Sequence, residues 1–108
     1  LAADNRFCEN VIKCIRDVGT ELGESNEHIM QMIRIGKVES GLRADAMGKN
    51  TNGTFDIGVF QINDVHGKRI SRADRLDFQK NIRFAYKLHQ EQKHSFSAWV
   101  AYNKGLAK

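Results

Sequence analysis

No proline interrupts the 108 residues of this chain. Low-complexity stretches and internal repeats are also lacking, so nothing marks an interdomain boundary and residues 1–108 read as a single domain. No apolar run approaches the roughly 18 residues that a membrane span requires. The opening Leu1-Ala2-Ala3-Asp4 has no basic segment followed by an apolar stretch, so the expectation is a mature form, periplasmic or secreted, whose leader is not in the chain. Aromatic residues are only 8%, and none interleave the basic residues as a stacking surface for single-stranded nucleic acid would need. Cysteine is limited to Cys8 and Cys14, too few to make a metal site or to fix the redox compartment. No metal or cofactor is expected.

What is present describes a modest globular domain. Hydrophobic residues make up 41% and charged residues 28%, enough for one small core. The net charge of +4 is unevenly spread. Residues 1–65 carry seven Lys/Arg against ten Asp/Glu, and residues 66–108 carry ten against three. A basic second half suits any polyanion, whether nucleic acid, anionic lipid or a cell wall bearing carboxylates and phosphates, or is simply a solvated surface.

Asp4 or Asn5 can cap a first helix that places Phe7, Cys8, Val11, Ile12, Cys14, Ile15 and Val18 on one broad face, with Gly19 and Gly23 bracketing its end. Were both cysteines on that helix, their Cα atoms would stand about 9 Å apart at about 1.5 Å of rise per residue. That exceeds the roughly 7 Å limit for a bridge. Either they are buried thiols, the reading favoured here, or the helix starts after Cys8 and a disulfide staples it. Ser25 or Asn26 caps a second helix running through Ile29, Met32 and Ile33 to Ser40, and Gly41 is its left-handed stop.

Residues 44–64 change character. Asn50-Thr51-Asn52-Gly53 is a turn signal, and Thr54, Asp56 and Gly58 then alternate with Phe55, Ile57 and Val59. The pattern predicts a small hairpin with Asp56 on its polar face. A helix from about residue 77 carries Phe78, Ile82, Ala85 and Leu88 on one side. A last short helix from near Ser95 bears Phe96, Trp99, Val100 and Tyr102 up to Gly105. The expected class is α+β, mostly helical, with one small β-hairpin. His28, His66, His89 and His94 show no ligand spacing that stands out, and solvent-facing positions are expected for them.

Of the thirteen acidic residues, Glu39 is singled out by its place. It falls in the last turn of its helix, where unpaired carbonyls make a negative end that disfavours a second negative charge. Its neighbours at i−4 and i−7, Ile35 and Met32, set it at the edge of an apolar stripe, where burial favours the neutral acid. Both effects raise the pKa, as a general acid working near neutrality requires. Asp56 lies on the polar strand returning towards that helix, where a carboxylate stays ionised. Two carboxyls in such different surroundings divide the roles of glycosidic cleavage. Spacing alone leaves the plainer alternatives open: an exposed helix-end glutamate and an ordinary turn-facing aspartate.

The words in the sequence are more specific than the spacing. Val38-Glu39-Ser40-Gly41-Leu42, then Gly58-Val59-Phe60-Gln61-Ile62-Asn63, then Ala101-Tyr102-Asn103-Lys104-Gly105 resemble, in order, the three motifs of the soluble lytic transglycosylase family. Asn50 to Gly58 is also similar to the hairpin of animal c-type lysozymes, and Ala98-Trp99-Val100-Ala101 resembles their later helix. The resemblance covers about residues 25–105. It implies a lysozyme-like fold acting on peptidoglycan glycan strands, with Glu39 as the indispensable acid/base. It implies that Ser40, Gln61, Tyr102 and Asn103 line the cleft, that Trp99 supplies an apolar wall, and that Asn63 makes a sugar contact or supports the turn. The implied reaction is cleavage of the MurNAc-GlcNAc β-1,4 bond to a 1,6-anhydro product. The alternatives are a hydrolytic muramidase using Glu39 and Asp56, and a glycan-binding module without catalysis. The expected partners are murein and, by family association, a secretion or pilus machine. A monomer is expected, with no nucleic acid and no membrane span.

Overall fold

The structure, a computed structural model, describes residues 8–107. Helix α1 spans Val11–Glu21 and α2 spans Asn26–Ser40. Strands β1 (Met47–Lys49), β2 (Phe55–Ile57) and β3 (Ile62–Asn63) follow, then a 3-10 turn over Asp64–His66. Helices α3 (Arg72–Leu76), α4 (Phe78–Glu91) and α5 (Val100–Asn103) complete the order. Among the described residues no helix is long and apolar enough to cross a membrane.

The second helix forms where its capping residues dictate. Ser25 Oγ accepts from the His28 amide at 3.1 Å, and Gly41 ends the helix at φ 65°, in the left-handed region that a side chain resists. The first helix begins later than expected. Asp4, Asn5 and Phe7 lie outside the described residues. The N-cap is Asn10, whose side chain accepts from the Lys13 amide at 2.9 Å. Cys8 therefore precedes the helix, its Cα comes within 4.6 Å of that of Cys14, and the two are joined in a disulfide. The thiol reading is corrected, because the 9 Å separation held only if Cys8 were helical.

The sheet has one strand more than the expected hairpin, in antiparallel order β1-β2-β3. Asp56 faces Gly48 on one side and Asn63 on the other. The core lies between α1, α2 and α4, where Ile15, Val18, Met32, Ile35, Ile82 and Tyr86 are fully enclosed. The Tyr86 hydroxyl satisfies itself by donating to the Ile15 carbonyl at 2.8 Å.

Two buried polar residues lock the sheet to the helices. Asn81, wholly enclosed in α4, donates to the carbonyls of Ile57 and Arg75, each at 2.9 Å, and accepts from the Phe60 amide at 3.0 Å. Gly58, at φ 84°, sits so close to the Arg75 carbonyl and the Asn81 amide that a Cβ would collide with both. The Arg75 guanidinium, also enclosed, reaches the Ile62 carbonyl at 3.1 Å and Asp64 at 3.0 Å. Charge-assisted pairing satisfies a cation that would otherwise be costly to bury. These contacts hold β2 and β3 against the start of α4.

Candidate active site

The end of α2, the sheet and the start of α5 meet at one cleft of about 160 Å³, lined by Glu39, Asp56, Gln61, Ile62, Asn63, His66, Ala98, Trp99 and Val100. Glu39 is half-buried. Burial pushes its carboxyl above the ordinary range, and the negative charge of Asp56 pushes the same way. The opposing influence is the Ala101 amide, which donates to Glu39 Oε2 at 3.4 Å. The outcome is an acid held in its protonated form to a higher pH than a free glutamate.

Asp56 is positioned by the sheet register. Asn63, its partner across β2 and β3, donates from Nδ2 to Asp56 Oδ1 at 2.7 Å. The same amide reaches Thr54 Oγ1 at 3.2 Å, while Asn63 Oδ1 accepts from the Val65 amide at 2.9 Å and caps the 3-10 turn. Asn63 thus lines the cleft and supports the turn at once. Gln61 stands at φ 49°, a left-handed conformation unusual for a side-chain-bearing residue. Its Nε2 donates to the carbonyls of Gly58 at 3.0 Å and Ala46 at 3.2 Å, so two backbone contacts fix the side chain in the cleft wall.

Trp99 is both core and wall. Its ring packs on Phe60 at 5.8 Å between centroids, and Nε1 donates to the Phe60 carbonyl at 3.1 Å. Its edge borders the cleft.

Three residues from the motifs lie outside the lining. Ser40 is buried, and its hydroxyl donates to the Val59 carbonyl at 2.7 Å and accepts from the Arg43 amide at 3.2 Å. Facing inward from the last turn of α2, it tethers that turn to the loop between β2 and β3 and so sets where Glu39 projects. Tyr102 is 41% exposed and leans on Phe96 at 5.3 Å. Asn103 is exposed and donates to the Ser97 carbonyl at 2.9 Å. Both follow from α5 starting only at Val100: the helix points the Ala101 amide at Glu39 and turns the next two side chains away. The sequence reading missed that amide, which no residue type announces. It also missed His66, a cleft residue whose pKa is lowered by burial and by Arg69 and Arg75 against the opposing Glu91.

A family model described as "Lysozyme like domain" matches residues 16–101. The chain belongs to the lysozyme-like domain family. Among solved structures, a crystal structure of a lysozyme from Litopenaeus vannamei superposes with a TM-score of 0.72 at 24% identity, covering 93% of this chain and 88% of that one. That likeness carries the fold: mostly helical, with a small antiparallel sheet. Protein IpgF of Shigella flexneri is 47% identical over 36 residues, which span 33% of this chain and 24% of that protein. Within the lysozyme-like domain, Glu39 lies in the last turn of α2 and lines the same cleft as Asp56 of the sheet.

Proposed function

We propose that the chain is a peptidoglycan lytic transglycosylase that cleaves the MurNAc-GlcNAc β-1,4 bond. The observation that carries the reading is Glu39, half-buried in the cleft with its proton affinity raised by burial and by Asp56. The neutral carboxyl donates its proton to the glycosidic oxygen as the bond breaks. The resulting carboxylate then takes the proton of the muramyl 6-hydroxyl, whose oxygen closes on the anomeric carbon. The product is the 1,6-anhydro sugar, and Glu39 is restored. One residue serves as acid and then as base because the site changes its ionisation by one proton between the two steps.

A hydrolytic reading draws on one specific feature, Asp56. Its carboxylate faces the same cleft, aligned by the Asn63 amide, and is available to stabilise positive charge at the anomeric carbon or to activate water. The two chemistries leave different ends. Mass spectrometry of digested murein is expected to give muramyl products lacking one water, with Asp56→Asn retaining that product and Glu39→Gln slowing release by about 10²–10⁴-fold. Products carrying the added water, lost in Asp56→Asn, would establish the muramidase instead. Murein retained without any fragment, equally by wild type and Glu39→Gln, would leave only glycan binding.

The disulfide supports a periplasmic or secreted setting, since such bonds persist in oxidising compartments. The basic second half supports attraction to an anionic wall. A secretion or pilus machine as the partner that delivers the enzyme rests on family association.

A further inference from the structure

Outside the cleft, three histidines gather round one carboxylate, against the expectation that all four face solvent. Glu24 lies between α1 and α2 with its side chain 1% exposed. His28 Nδ1 and His89 Nε2 each stand 3.0 Å from Glu24 Oε1, and His94 Nδ1 stands 3.3 Å from Oε2. One ligand atom from each of the four residues can be chosen so that all lie within 4.8 Å of one another. His89, in the last turn of α4, is completely buried. Gln90 Nε2 donates to Glu24 Oε2 at 2.7 Å and fixes the carboxylate plane.

The convergence of four ligating groups points to a ligand, and the hydrogen bonds at His89 leave its second nitrogen turned into the cluster. Its Nδ1 lies 3.0 Å from the Ser95 carbonyl. A carbonyl oxygen only accepts, so Nδ1 carries the hydrogen. Nε2 of that tautomer then presents a lone pair to a carboxylate oxygen that also has only lone pairs. Two acceptors then face each other in a place closed to water, and either a proton or a metal ion must lie between them. A single proton satisfies that one contact, but it leaves unexplained why two further rings, with centroids 5.1 to 6.0 Å apart, converge on the same carboxylate. A single divalent metal ion accounts for all four groups, taking one lone pair from each.

We propose that Glu24, His28, His89 and His94 form a binding site for a divalent transition metal of the zinc class. Three imidazoles and one carboxylate are the donor set such ions favour, whereas calcium and magnesium take oxygen ligands. Bonds of about 2.0–2.1 Å in tetrahedral geometry put ligand atoms about 3.3–3.4 Å apart. The contacts to Glu24 of 3.0 to 3.3 Å are close to that spacing. The ligand atoms separated by up to 4.8 Å would close in on the ion as the half-exposed His28 and exposed His94 rings turn. The Nδ1–H contact to the Ser95 carbonyl is the outer-shell bond that orients a metal-ligating imidazole. Lys93 and His94 both adopt positive φ, 56° and 62°, as the chain doubles back over Glu24, a cost that metal coordination offsets. The ion would tie the segment after α4 to the first turn of α2. Phe96, stacked on His89 at 4.5 Å, and Tyr102 beyond it connect this knot to α5.

The test uses the whole untagged chain after chelator treatment, titrated with Zn²⁺ by calorimetry and with Co²⁺ by absorption. One Zn²⁺ per chain, a higher melting temperature in its presence and the intense visible bands of tetrahedral Co²⁺ are expected. His94→Ala and His28→Ala remove half-exposed or exposed ligands that the fold tolerates. Each should weaken Zn²⁺ by more than the roughly 10–100-fold that loss of an outer-shell partner costs, while His66→Ala leaves the affinity unchanged. No uptake by the folded wild type would overturn the site and leave a protonated histidine cluster on Glu24. Uptake that both ligand variants retain at full affinity would overturn it equally, as adventitious binding.

Discussion

A carboxyl that must keep its proton near neutrality weakens the fold at that pH. Glu39 has a folded-state pKa above the ordinary 4.5. Above about pH 4.5 the folded chain therefore holds this proton more tightly than the unfolded one. The stability Glu39 contributes is fully present below the unfolded pKa and is lost as pH rises through the folded one. Glu39→Gln escapes that loss. Calorimetric melting should show the variant more stable than wild type at about pH 7 and no more stable at about pH 4, while murein cleavage falls by about 10²–10⁴-fold. Because the charge of Asp56 helps to raise Glu39, Asp56→Asn should move the alkaline limb of the pH–rate profile to lower pH. A limb that stayed in place would remove Asp56 from the control of that proton. The environment of Glu39 was legible from its position at a helix end next to Ile35 and Met32. The inward turn of Ser40 was not, since a serine beside the proposed acid reads equally well as a sugar contact or as a tether.

Elements with strong local signals were legible, and those whose signals are tertiary were not. Helix α2 follows its sequence from Ser25 to Gly41 because both caps are short-range chemistry. Helix α3 escaped because Arg-Ala-Asp-Arg-Leu offers too little apolar periodicity over its five residues; it is held by the Ser71 cap and by Arg75 reaching into the sheet. Strand β3, only two residues long, is a strand because β2 supplies its partners. Asn81 is the residue through which these weak elements cooperate. Substituting Ala strands two carbonyls and one amide in the interior. At about 1–3 kcal/mol for each unsatisfied group, Asn81→Ala should cost at least about 3 kcal/mol in urea unfolding. Its catalytic rate while folded should also drop, because the sheet carrying Asp56 and the turn carrying Gln61 lose their anchor to α4. A stability loss below about 1 kcal/mol would mean that relaxation or water entry satisfies these groups.

At the scale of the whole molecule, the cleft is made by α2, the sheet and α5, whereas the disulfide ties only the entry to α1. Residues distant in sequence come together in ways no local pattern announces: Glu24 and His89 are separated by 65 positions, and the basic and acidic halves of the chain share one core. The Cys8–Cys14 bond shows the opposite case, a short-range link that was misjudged through a helix boundary. It closes a loop with a sequence separation of 6, and chain entropy assigns such a loop about 2 kcal/mol, acting mainly on the unfolded state. Reduction should therefore lower the denaturant midpoint while leaving the slope of unfolding close to its original value. Without denaturant, murein cleavage by the reduced protein should proceed at the oxidised rate, since α1 packs on α2 and α4 through Ile15 and Val18 rather than through the bond. A slower rate in fully folded, reduced protein would mean that the α1 entry helps to hold α2, and with it the angle at which Glu39 meets the sugar.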